Sequence, residues 1–316
     1  MFDEIDLNKV HRYSIKHRKS KESIDNFPEI IEKTKVLSLI KSFPNVLKVK
    51  EFLELINIIR NAKKNGKPLI IGFGAHIIKT GCSQYFINLI RKGIVDCMVT
   101  NGASPIHDVE IALIGKTSEY VDEALPRGEF GFAREPIQHI AKALNIGSEL
   151  GLGYGEAIGR YVADNLQIFT YHEYSIFYAA YVAKVPLTVH SAIGTEIIFQ
   201  HPEIEGKVVG ELSTRDFRIF ANKLLSLGDG GVFVNFGSAV IVPEVFLKAL
   251  SIAKNLAQIR NYYTANFDMY YHYRPAVNII KRPTQDSGKG FYFIGHHEIM
   301  VPLFYYAVVE ALCDEG

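Results

Sequence analysis

The sequence predicts an α/β fold with a doubly wound, mostly parallel sheet, and three observations carry that prediction. Apolar runs alternate with segments of helical period along most of the chain. The clearest runs end in glycine or another small residue, as at Gly72, Gly102 and Gly237. No stretch rich in Gly, Pro or Ser divides the chain, and 316 residues with 48% hydrophobic and 22% charged side chains suffice for one large core. Residues 1–45 read as an N-terminal arm and helix, and residues 46–316 as a single domain.

Taken in order, residues 1–30 are polar and weakly periodic, as expected of an arm that packs on a neighbouring surface or a second subunit. From Val46 to Lys64, the positions Val49, Phe52, Leu53, Ile56 and Ile59 make one helical face, which Asn65-Gly66-Lys67-Pro68 stops. The apolar run Pro68 to Ile71 ends at Gly72 and Gly74. Ser83 to Arg91 carries Tyr85, Phe86, Leu89 and Ile90 at helical spacing, and Ile94 to Thr100 ends in Asn101-Gly102-Ala103-Ser104. That succession is a βαβ unit. Such units build parallel sheets buried on both faces, with ligands bound where the strands' carboxyl ends open. Pro105 suits the first turn of a further helix through Leu113.

Residues 115–134 hold three glycines, a proline and no clear period, which makes them either a surface connection or a lid over the Asn101–Asp108 turn. Helices are expected over Glu135–Leu150, Glu156–Asn165 and Glu173–Ala183. Gly151-Leu152-Gly153-Tyr154-Gly155 reads as a helix stop, because a phosphate loop would follow a strand. The opening theme then returns. Val185 to Val189 is a strand running into His190–Thr195, Arg215 to Leu227 a helix, and Gly231 to Phe236 a strand ending at Gly237-Ser238. Pro243 to Leu256 is an amphipathic helix, and Asn261 to Ala265 a short strand.

A net charge of +1 gives no electrostatic reason to expect nucleic acid or an anionic membrane as partner. Cys82, Cys97 and Cys313 are scattered, which fits a reducing compartment. The first residues lack the basic-then-apolar order of a signal peptide, and no apolar stretch has the length of a membrane span. The expected location is the cytoplasm.

In a parallel sheet the carboxyl ends share one edge, so Gly74–Lys79, Asn101–Asp108, His190–Glu196 and the turn from Gly237 to Glu244 can converge. Asn266 to Pro275 is dense in aromatic and hydrogen-bonding side chains, a mixture suited to a flat ring or a cation. The histidines show neither HExxH nor HxH spacing, so no metal site is read from them. No GxSxG elbow, Walker motif or GxGxxG after a strand is present, and spacing alone names no reaction.

Thr264-Ala265-Asn266-Phe267-Asp268, then Arg274-Pro275 and Lys281, resembles deoxyhypusine synthase. Val95 to Ala103 and Gly231 to Val240 are similar to that family's corresponding segments, in the same order. The chain departs from it at Met269-Tyr270-Tyr271-His272-Tyr273, where the family has Gly-Ser-Asp-Ser-Gly. The resemblance implies a Rossmann-like, NAD-binding fold in a homotetramer. It further implies an NAD-dependent transferase acting on a small amine of the polyamine type, spermidine in the family, through a lysine imine that hands its group to an acceptor protein. On that reading Gly74, Asn101, Gly102, Ser104, Gly194, Gly237, Ser238, Thr264 and Ala265 line the cofactor. Asp108, His190, Asp268, His272 and Lys281 handle substrate and protons; Lys281 forms the imine, with Lys289 as its rival. Two other readings stay open: a metal-dependent hydrolase built on His76, His107, His190, His296 and His297, and a non-catalytic relative that binds a nucleotide.

Overall fold

The computed structural model describes residues 4–313. Strands are numbered along the chain as β1 (Ser20–Ser23), β2 (Leu69–Phe73), β3 (Cys97–Asn101), β4 (Lys116–Glu119), β5 (Leu187–His190), β6 (Val232–Phe236), β7 (Tyr263–Asp268) and β8 (Lys289–Ile294). Six of them form one wholly parallel sheet in the order β5-β3-β2-β6-β7-β8. The chain builds outward from β2 through β3 to β5. It then returns to the other side of β2 and builds outward again through β6 and β7 to β8. Helices cover both faces, so β2, β5 and β6 are buried at every position.

Register brings the strand ends to a common edge. Phe73 lies opposite Thr100 and Phe236, Asn101 opposite His190, and Asp268 opposite Ile294. Beneath that edge Phe236, Phe267 and Phe293 stack across neighbouring strands, with ring centroids 4.8 and 4.7 Å apart. The ladder stiffens the platform from which the turns after β6, β7 and β8 project.

The expected helix after Val46 runs Leu47–Lys64, the βαβ helix runs Ser83–Arg91, and the helix opened by Pro105 runs Ser104–Ile114. Four elements differ from those expected. The helix expected from Arg215 begins at Gly206, because burial of Val208, Val209 and Leu212 outweighs the poor propensity of Gly206 and Gly210. The short strand expected over Asn261–Ala265 continues to Asp268. β8 and the last helix, His297–Cys313, lie outside the expected elements. That helix carries Pro302 and is apolar all round, so it shows no face. Residues 115–134 are not irregular throughout: β4 pairs with β1 in a two-stranded antiparallel sheet, and a short helix follows at Val121–Ala124.

The arm lies against this segment. Tyr13 bridges Ala133, Ile15 donates its N–H to Glu135 at 2.8 Å, and Ser20, Glu22 and Ser23 pair with Glu119, Thr117 and Lys116. No helix among the described residues is long and apolar enough to cross a membrane.

Candidate functional site at the carboxyl edge of the sheet

Where the strand order reverses, between β2 and β6, two glycine turns stand back to back. Gly74 donates its N–H to the Phe236 carbonyl at 2.9 Å, and a Cβ on Gly74 would come within 2.6 Å of the Gly237 carbonyl oxygen. Gly237 has φ +66°, and a Cβ there would sit 2.5 Å from Nε2 of His297. Only glycine satisfies both positions. His297, 1% exposed, has an unpartnered Nδ1, and its ring centroid is 5.7 Å from that of His76. Burial, reinforced by His76, pushes His297 down to about 4, and burial pushes His76 down as well. The pair is neutral near neutral pH, available for hydrogen bonds rather than as charge.

Beside it, at the end of β7, the buried Asp268 accepts the Met269 N–H at 2.8 Å and lies 3.7 Å from Nε2 of His272. Its other oxygen, Oδ2, is buried without a partner in the chain, and burial raises its pKa. The Tyr292 hydroxyl accepts the His272 N–H and donates to the Tyr270 carbonyl, both at 2.9 Å, fixing this turn. Behind the turn Asn235 donates to Asn266 at 2.6 Å and to the Ser238 carbonyl at 3.0 Å. Ser238 Oγ accepts the Val242 N–H as the helix Ile241–Leu256 begins.

On the other side, Thr100 donates to the Phe73 carbonyl at 2.9 Å and lies 2.5 Å from Ser104 Oγ, which is 3.3 Å from Oδ1 of Asn101. Gly102 is bare because the Glu196 carboxylate fills the place of a side chain: a Cβ there would be 2.6 Å from either oxygen. Gly194, at φ +82°, turns the loop that carries Glu196. Burial raises Glu196, whose Oε1 accepts the Ala192 N–H at 2.8 Å. The segment with β4 roofs this corner, and Ser118, Val121 and Phe130 face Ala103, Ile106 and His107 across a cavity of about 220 Å³.

The edge therefore gathers Gly74, Asn101, Gly102, Gly237, Ser238, Asp268 and His272, with Ser104 buried in its framework. His190 ends β5, but its ring is turned inward against Phe220 and bonds Thr188 at 3.1 Å; burial pushes it down to about 3. Other expected residues lie elsewhere. Thr264 and Ala265 are wholly buried within β7. Thr264 sits roughly 13 Å before Asp268 at the usual strand rise. Asp108 is also wholly buried and accepts from Ser175 Oγ and the Ile176 N–H, holding the start of the helix Ile176–Val182. Lys281 is exposed, and its neighbour Ile280 packs on Gly290 at the amino-terminal end of β8, the opposite side of the sheet. Lys289 lies at that same far end, paired with Glu54 at 2.7 Å.

Of the five histidines offered for a metal, His76 and His297 come together. His107 bonds Thr117 at 2.8 Å, His190 is packed as described and His296 is exposed. Among the described residues no group of three His, Cys, Asp or Glu is arranged to hold a metal. Glu196 was visible only as the last residue of a polar turn, and nothing in the sequence marked it as covering Gly102.

A parallel six-stranded sheet whose order reverses between its first and fourth strands, with glycine turns at the reversal, is a Rossmann fold, the class that places ligands across that crevice. A family model for the Rossmann fold in the C-terminal part of arginine dihydrolase ArgZ-like proteins matches residues 54–149. No curated protein matches the chain. Among solved structures, AgrE in its ternary complex with ornithine and NAD+ is similar with a TM-score of 0.52 at 14% identity, over 90% of this chain and 34% of AgrE. A deoxyhypusine synthase-like protein from Entamoeba histolytica is similar with a TM-score of 0.53 at 12% identity, over 92% of this chain and 96% of that one. This chain thus spans about a third of AgrE's length and nearly all of the second protein's. At these identities the likeness is one of fold, and the resemblance to deoxyhypusine synthase holds at that level.

Proposed function

We propose that the chain binds NAD across the β2–β6 crevice and oxidises a small amine there. The observation that carries this reading is the coincidence of the order reversal with the back-to-back turns at Gly74 and Gly237, flanked by Asp268 and His272. The residues present fit such a group: Asp268 Oδ2 and His297 Nδ1 are buried at this edge with no partner in the chain, free for a polar ligand. A fold relative solved with ornithine and NAD+ adds weight.

NAD, when bound, supplies a hydride acceptor; the chain supplies position and proton handling. An amine reaches the site as its ammonium form and must lose a proton before the carbon beside it can give up hydride. His272, held 3.7 Å from Asp268, is placed to take that proton, and the aspartate stabilises the imidazolium that results. His190, turned into the core, has no part in this scheme. A lysine imine at Lys281 has none either, because that side chain lies at the far end of the sheet. The test is NADH formation with a panel of amines. Asp268→Asn and His272→Gln should each lower kcat by about 10²–10⁴-fold, and His272→Gln should leave NAD binding intact. Unchanged kcat in both variants, or loss in Lys281→Arg alone, contradicts this scheme.

A further inference from the structure

We infer that the cavity roofed by β4 and the segment after it binds a zwitterion, an α-amino acid, with Arg18 and Lys79 taking its carboxylate and Glu196 its ammonium group. The inference concerns ligand binding in the corner beside β3 and β5, apart from Asp268 and His272, and does not rest on the proposed oxidation.

Arg18 comes from the arm, pinned on either side by the Tyr13–Ala133 bridge and the β1–β4 pairing, so its place is set by backbone hydrogen bonds. Its side chain is 5% exposed. Nη1 donates to Glu110, yet Nε and Nη2 are buried with no partner in the chain. Glu196, 7% exposed, likewise has a buried and unpartnered Oε2. Both residues line the same cavity of about 220 Å³, as does the half-buried Lys79.

Buried polar groups in folded proteins are nearly always paired, and a guanidinium with two idle donors is costly unless something binds it. The guanidinium fork matches a carboxylate, which it can hold through two parallel hydrogen bonds. A ligand carrying only negative charge would satisfy Arg18 but stand against Glu196. A polyamine would do the reverse. A molecule carrying an ammonium and a carboxylate group on the same carbon uses both. Three carboxylates, Glu110, Glu119 and Glu196, line the cavity, which disfavours a phosphate dianion such as the 2′-phosphate of NADP. Ile106, Val121 and Phe130 give the cavity an apolar stretch for an aliphatic side chain, beside the polar His107, Ser118 and Thr195.

The experiment is calorimetric titration of the full chain, without NAD, with a panel of α-amino acids. Each is tested beside the amine that lacks its carboxylate and the acid that lacks its amino group, with inorganic phosphate and NADP as further probes. The expected result is saturable binding of at least one amino acid, with both single-charge counterparts at least tenfold weaker. Arg18→Lys, which keeps the charge but loses the fork, and Glu196→Gln should each weaken that amino acid tenfold or more. The ligand series on the unaltered chain decides the matter even where a variant fails to fold. Equal binding of the amine or the acid, tighter binding of phosphate or NADP, or no binding by any amino acid overturns the inference. Amino-acid binding in a chain that ignores NAD would sustain this site and remove the dinucleotide reading.

Discussion

Asp108 and Asp268 show how two aspartates predicted for one task come to do different ones. Burial raises both, Asp108 to about 7, but Asp108 spends its oxygens on Ser175 and Ile176 while Asp268 keeps one oxygen unpaired at the strand end. Asp108→Ala should therefore cost about 1–3 kcal/mol in urea unfolding by stranding two buried donors. NAD affinity of the folded fraction should not change; a loss of affinity out of proportion to stability would return Asp108 to the site. His297 makes a pH prediction. Its folded value, about 4, lies below the ordinary histidine value of 6.5, so the unfolded chain binds the extra proton between them and stability falls as pH drops through that window. Asp108 and Asp216, raised to about 7, act in the opposite sense, so the comparison must be with a variant. In His297→Gln the fall in thermal midpoint from pH 6.5 to pH 4 should be shallower than in the parent chain. Parallel curves would show that His297 is not the proton-binding group. The sequence made these side chains legible as residues after strands. It could not show which of them turn under the edge, because His190 and Asp268 end their strands alike and differ only in what packs against them.

At the scale of elements, the free side of β5 is closed by a side chain in place of another strand. Asp216 Oδ2 accepts the N–H groups of Val189 at 2.7 Å and Gly155 at 3.0 Å. A Cβ on Gly155 would lie 1.7 Å from the Leu187 carbonyl, so the helix Tyr154–Ala163 docks backbone to backbone. Gly155→Ala should destabilise by about 1–3 kcal/mol through overpacking, read as a lower denaturant midpoint at unchanged slope. An unshifted midpoint would mean that the helix is free to move away. This also explains why Gly151 to Gly155 could be recognised as a stop but not as a contact: the reason for Gly155 lies across the fold. The βαβ unit was legible because its apolar runs, glycine ends and helical period all agree. β8 was not, since Lys289-Gly290 opens it at an edge, and the last helix was not, since it buries so much of its surface that no polar face marks its period.

For the molecule as a whole, the reversal of strand order marks the crevice proposed for the dinucleotide. The sequence contained the two glycine turns but not their contact, which arises only when the chain returns to place β6 beside β2. The measurement that bears on this most directly is calorimetric titration with NAD, supported by the thermal midpoint, for the unaltered chain and for Ala239→Trp. Ala239 is half-buried in the turn after β6, so the indole would obstruct the crevice without entering the core. NAD should bind saturably at one site per chain and stabilise it by about 2.7 kcal/mol when a hundredfold above its dissociation constant. Ala239→Trp should bind NAD at least tenfold more weakly while unfolding at nearly the same temperature in its absence. No heat and no shift with NAD in the unaltered chain, or full binding in the obstructed one, would rule out a dinucleotide site in this crevice.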